Sequence, residues 1–250
     1  MHAMLFPLST IRPRACMLAG PLVWMVAFGA TAALAHPPAM PAGTVDAAAS
    51  RVYVLVDKSG MVGHVHAVEG RLVSGRIVLG ARERAGNLVF DMRSFLADTP
   101  AARQMLGLNG QIDAATQQQT TANMLSPEVL DVGHHPTARF DIRSSLASAK
   151  SQPGALSSYD LVGIFTLHGA QRPLTLTADA EDRGAAVRLR GGFRVKQTDY
   201  GMKPYAKFGG IVGVADELAI WGDVWLPDGL PQPVSQPPVS TNNPNGEIQR

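Results

Sequence analysis

The chain has 250 residues, 46% of them hydrophobic and 17% charged, with 22 Lys and Arg against 20 Asp and Glu and a single cysteine. So even a balance offers no general attraction to nucleic acid or to anionic membranes, and one cysteine excludes an internal disulfide framework. The length suits one domain with a substantial core once any targeting segment is set aside.

Residues 1–35 read as an export signal. Arg12 and Arg14 precede the apolar run Met17–Leu34, and Ala33-Leu34-Ala35 supplies a small-residue cleavage site before His36. Cleavage removes Cys16 with the signal and delivers the remainder to the periplasm or the exterior. Residues 36–50 are Ala/Pro-rich and read as a flexible lead-in.

Strand signals then dominate residues 51–226. Arg51–Val56, Gly63–Val68, Arg71–Leu79 and Gly86–Leu96 come first; Thr137–Leu146, Tyr159–Leu167, Leu174–Ala180, Ala186–Lys196 and Gly210–Trp225 follow, the last long enough for two strands. Leu88, Phe90 and Met92 repeat with a period of two, as do Phe140 and Ile142. The pattern is sharpest in residues 187–196, where Val187, Leu189, Phe193 and Val195 alternate with Arg188, Arg190, Arg194 and Lys196. A strand puts these sets on opposite faces, and the cations read as a solvated face rather than a nucleic-acid site. Gly191-Gly192 inside this strand predicts a bulge or bend. Asp98–Asp131 interrupts the strands with helical signals, a cap and proline at Asp98-Thr99-Pro100, an Ala/Gln/Thr-rich run at Asp113–Leu125, and a second cap and proline at Ser126-Pro127. One or two short helices are expected there, outside the sheet or across one end of a barrel. Residues 227–250 are Pro-rich and read as a disordered tail. Strands in series without helices between most of them predict an antiparallel sandwich or closed barrel.

Signatures of catalysis are missing: the sequence has no G-x-S-x-G elbow, no H-E-x-x-H and no phosphate-binding glycine loop. The expectation is a binding protein, not an enzyme, and one without a cofactor. His64 and His66 form H-x-H, which on a strand points both rings one way; with a third ligand from elsewhere this supports an alternative, a metal-binding module. His134-His135, just before Pro136, read as a loop whose neighbouring rings do not converge on one ion.

Three segments in register resemble the YceI-like family of periplasmic polyisoprenoid-binding proteins. They are Asn123–Val132 followed by His135-Pro136-Thr137-Ala138-Arg139-Phe140; Val162–Leu174, containing Thr166-Leu167-His168-Gly169; and Phe193–Tyr205, containing Lys196-Gln197-Thr198-Asp199-Tyr200-Gly201, with Val214–Leu218 after it. The resemblance spans residues 51–226 and implies an all-β fold with minor helix, an extended eight-stranded antiparallel lipocalin-like barrel enclosing a long apolar ligand. It implies an isoprenoid lipid or quinone as partner, held by Phe90, Met92, Phe140, Ile142, Phe165, Leu167, Leu189, Phe193 and Val195, with Tyr200, Lys203 and Tyr205 where a head group emerges. Transient membrane contact follows from such a cargo, and an incompletely closed barrel edge would favour a homodimer.

Overall fold

The computed structural model describes residues 42–149 and 156–227. The expected export signal and nearly all of the Pro-rich tail therefore lie outside the described residues. Antiparallel strands β1 (Arg51–Lys58), β2 (His66–Ile77), β3 (Gly86–Ala97), β4 (Thr137–Ala147), β5 (Ser157–Leu167), β6 (Ala170–Asp182) and β7 (Val187–Lys196) pair in sequence order; β7 then pairs with β9 (Val212–Leu226). β9 also pairs with β1, Tyr53 opposite Trp221 and Val54 opposite Ile220, which closes an eight-stranded barrel. A two-residue β8 (Ala206–Lys207) is appended to the start of β9. Among the described residues closure leaves no long unpaired edge, and with it goes the argument for edge-to-edge dimerisation.

Several boundaries differ from expectation for identifiable reasons. The stretches at 63–68 and 71–79 are one strand, β2, whose register against β3 shifts between Glu69 and Arg71 and again between Leu72 and Ser74. At the first shift the extra residues are on β3, where Met92–Phe95 lie against Gly70 alone; at the second the extra residue is Val73 of β2. Such irregularities bend the sheet around the barrel without ending either strand. Gly70 lies at the first, where the Phe95 ring occupies the space a Cβ needs, at 2.3 Å. β9 is likewise one strand, long enough to serve two neighbours. Gly191-Gly192 make no bulge: their register with Gly222 and Trp221 is unbroken.

Residues 43–50, expected to be flexible, are fixed under the barrel. Val45 donates to Gly75 O at 2.9 Å, Asp46 to Trp225 O at 2.9 Å, and Trp225 N to Ser50 Oγ at 3.0 Å. Val45, Ile77, Leu79, Val187 and Leu226, all buried, fill this base. The arginines of β7 are paired across neighbouring strands rather than merely solvated. Arg188 Nε donates to Asp223 at 2.7 Å, Arg194 Nη1 to Glu217 at 2.6 Å, and Arg190 lies 3.6 Å from Glu181.

The helical interruption forms two helices. α1 (Pro100–Met105) is capped by Thr99, whose side chain accepts from Ala102 N, with Pro100 in the first turn. It packs on the outer wall over Tyr53 and Ala67 through Ala102, with Leu106 and Leu108 beside it. α2 (Ala114–Leu125) is capped by Asp113 and lies at the other end of the barrel from the base, tied to β3 by the Ala97 N donation to Thr121 Oγ1 at 3.0 Å. Ser126–Leu130 is a turn, not a third helix, closed by Asp131 N on Ser126 O at 2.8 Å.

Candidate functional site

Because every second side chain of a closed sheet points inward, the strand alternation read from the sequence determines what the interior is made of. That interior is hollow. A cavity of about 360 Å³ runs inside the barrel, within the range of about 300–1,000 Å³ common for small-molecule sites. Its wall is almost wholly apolar, with aliphatic residues such as Val54, Val68 and Ile220 on the adjoining strands β1, β2 and β9 and Leu161 and Leu176 on β5 and β6. Among the described residues, the polar side chains that line it, His64, His66, Thr120, Asn123, Gln197 and Tyr205, are all towards the end covered by α2.

Among the residues expected to hold a ligand, Phe90, Met92, Phe140, Phe165, Leu167, Leu189 and Phe193 face this cavity. Phe165 is the hub of an aromatic cluster, edge-on to Phe90 at 6.5 Å, to Phe193 at 5.5 Å and to Tyr200 at 5.8 Å between ring centroids. Ile142, Val195 and Tyr200 do not line the cavity. They are 2%, 8% and 3% exposed and belong to the packed core around it. Ile142 shares strand and parity with Phe140, so its depth along the barrel, not its face, removes it from the wall. Tyr200 sits in a 3₁₀ turn (Gln197–Tyr200), and burial chiefly raises its phenol pKa above the ordinary value. Lys203 is exposed, whereas Tyr205 does reach the cavity at its polar end.

The wall has one gap in its cladding. Gly191 and Gly222 are directly opposite one another on β7 and β9, and both face the lumen. A Cβ on Gly222 would meet nothing nearer than Val224 Cγ2 at 3.8 Å, so the space over Gly222 is open, whereas a Cβ on Gly191 would meet Thr177 O at 2.8 Å and Leu176 Cδ1 at 2.9 Å.

His64 and His66 do approach each other, with ring centroids 4.5 Å apart, and Asp98 completes a group whose donor atoms lie within 4.8 Å. Asp98 is already engaged, however. Its Oδ2 lies 2.6 Å from His66 Nδ1, and its Oδ1 accepts from Ala67 N and Arg103 Nη1, both at 3.0 Å. Burial alone would raise this carboxyl; hydrogen bonds from His66 and Ala67, the His66 charge and the Arg103 hydrogen bond outweigh burial and hold its pKa below the ordinary value. The carboxylate thus orients His66 and anchors α1. Sequence reading took Asp98 for part of a helix cap, since its partners His66 and Arg103 meet it only in the fold.

A second convergence was not anticipated. His135 pairs with His168, at the β5–β6 turn, rather than with His134; their ring centroids are 4.1 Å apart, and Asp131 stands beside them.

A family model described as the YceI-like domain matches residues 44–224. No curated protein matches the chain. Similar solved structures include Burkholderia cenocepacia BcnA, 16% identical with a TM-score of 0.48 over 72% of this chain and 98% of that one. Another is a polyisoprenoid binding domain from Saccharophagus degradans implicated in plant cell wall breakdown, 16% identical with a TM-score of 0.49 over 74% and 97%. A third is the Campylobacter jejuni YCEI protein, 8% identical with a TM-score of 0.42 over 63% and 81%.

Proposed function

The chain belongs to the YceI-like family, and from that premise we propose that it is an exported carrier that encloses the apolar tail of an isoprenoid lipid or quinone, without turnover chemistry of its own. The hollow apolar lumen is the observation that carries this reading. Each carbon of a buried tail contributes about 0.8 kcal/mol, so a chain that fills the barrel binds tightly with few polar contacts. The polar residues near α2, His64, Asn123 and Tyr205 among them, suit a head group left at the mouth. Affinity for a homologous series of quinones, measured by native mass spectrometry or calorimetry, is expected to rise about fourfold per added carbon and then level off when the lumen is full. Affinity that follows the head group and ignores tail length would overturn the reading.

Loading such a cargo requires meeting the bilayer that holds it, and the exposed residues of the mouth support that contact. Two loops join there through Val62 N on Ile211 O at 3.2 Å and a Val62–Val212 bridge. They expose Met61, Val62, Phe208 and Ile211 at 89%, 59%, 77% and 52%, beside lumen-lining Gly63, His64 and Val212. Residues 201–215 add Lys203 and Lys207 and contain no acid, a local bias that the near-neutral total conceals. Apolar tips flanked by lysines fit an anionic membrane surface. The double substitution Met61→Glu and Phe208→Glu should weaken co-sedimentation with anionic phospholipid vesicles at least about tenfold, since each buried side chain contributes about 1.5–3 kcal/mol. Binding of a short-tailed quinone in solution should be unchanged; unaltered vesicle binding would refute membrane docking by this rim.

A further inference from the structure

Asp131, His135 and His168 present one carboxylate oxygen and two imidazole nitrogens within 4.8 Å of one another, outside the lumen and apart from the His64–His66–Asp98 group. They come from two places in the chain. Asp131 and His135 belong to the turn that follows α2, where His134 N and His135 N both donate to Asp131 O at 3.0 and 2.8 Å. His168 is in the hairpin turn between Leu167 and Ala170, which pair directly.

That hairpin is informative. A two-residue turn with φ positive at both central residues is normally Asn-Gly or Asp-Gly. Here the residues are His168 at φ 49° and Gly169 at φ 76°. Histidine gives the turn nothing that asparagine would not, and it places an imidazole against His135 at 4.1 Å. Two half-buried rings this close can share one cation between their nitrogens.

We propose that Asp131, His135 and His168 form a binding site for a divalent first-row transition metal of the zinc class. Two imidazoles and a carboxylate are a borderline donor set suited to such ions and leave a fourth position for water. Bonds of about 2.0–2.2 Å place tetrahedral ligand atoms about 3.3 Å apart, so the donors need only close in by side-chain rotation. His134, whose Nδ1 lies 2.9 Å from Asp131 Oδ2, orients the carboxylate from outside. The site adjoins the cavity, for Val129 and Leu130 precede Asp131 and Leu167 precedes His168, and all three line the lumen. A metal here fastens the turn after α2 to the β5–β6 hairpin and so stiffens one side of the mouth. The site stands whatever the lumen carries.

The test uses the full chain stripped with a chelator and titrated with Zn²⁺ and Co²⁺. One ion per chain should bind, with a rise in melting temperature of several degrees and a Co²⁺ visible spectrum of imidazole–carboxylate ligation. His168→Asn supplies the default turn residue, so it should fold at least as well as the parent while losing zinc affinity at least about 100-fold; His135→Ala should lose it similarly. The double variant His64→Ala and His66→Ala should bind as the parent does. Absence of zinc binding in the parent, its retention in both His168→Asn and His135→Ala, or its loss only with His64 and His66, would each overturn the assignment.

Discussion

Gly222→Phe should abolish ligand uptake while leaving the barrel intact. Gly222 faces the lumen opposite Gly191, in the stretch Leu218–Asp223 of β9 whose pairing is continuous on both sides. A side chain starts there without collision, because the nearest atom to a new Cβ is Val224 Cγ2 at 3.8 Å. Its backbone is not in the left-handed region, since Gly222 is not among the positive-φ residues. The phenyl ring must then project into the cavity and displace about one isoprene unit of ligand. At about 0.8 kcal/mol per carbon over about five carbons, the loss is about 4 kcal/mol, or about 10³-fold in affinity. Gly222→Ala, which adds one methyl, should lose less than about tenfold. Titration of both variants with an isoprenoid quinone, alongside circular dichroism, separates occlusion from unfolding. Full uptake by a folded Gly222→Phe protein would place the ligand elsewhere.

Asp98→Ala should be the most destabilising single change on the outer wall. The Asp98 side chain is fully buried, and that of Arg103, on α1, is 10% exposed. Removing one member of a buried ion pair costs about 3–5 kcal/mol because the other charge stays behind. The lower end applies here, since Arg103 keeps Gly110 O at 3.0 Å and Asn109 O at 2.6 Å as acceptors. For a domain of this size about 3 kcal/mol corresponds to a fall in melting temperature of about 10 °C. The carboxyl also contributes to acid sensitivity. Its folded pKa is depressed, so its stabilisation is complete above the unfolded value of about 3.9 and is lost as pH falls through the lower folded value. Urea midpoints of parent and variant should therefore differ most at neutral pH and converge below about pH 4. A variant as stable as the parent at pH 7 would show that the network anchors nothing.

The fold was readable where burial acts on one strand face at a time. Val187, Leu189, Phe193 and Val195 announce their inward face without reference to any partner strand, and the same holds for Phe90, Met92 and Phe140. What the alternation cannot distinguish is a lining residue from a plugging one. Phe140 and Ile142 share a face, yet only Phe140 borders the cavity, because position along the barrel depends on how far the base and α2 reach inward. Composition misled at residues 43–50, where small residues are held by backbone hydrogen bonds that leave no mark in side-chain chemistry. The register shifts between β2 and β3 are hidden for a related reason: they depend on how the two strands meet, and Gly70 marks one only because Phe95 stands over it. Long-range polar groups were least legible. Asp98 reads as a cap because His66 and Arg103 meet it only in the fold, and nothing local in the sequence brings His168 to His135.

Native mass spectrometry of the protein isolated from its own compartment without detergent addresses the lumen most directly. The expected spectrum shows the chain carrying one apolar amphiphile, released by organic solvent and identified by its fragments as an isoprenoid. A chain that is consistently empty, and stays empty when an isoprenoid quinone is supplied, would contradict the carrier account at its foundation.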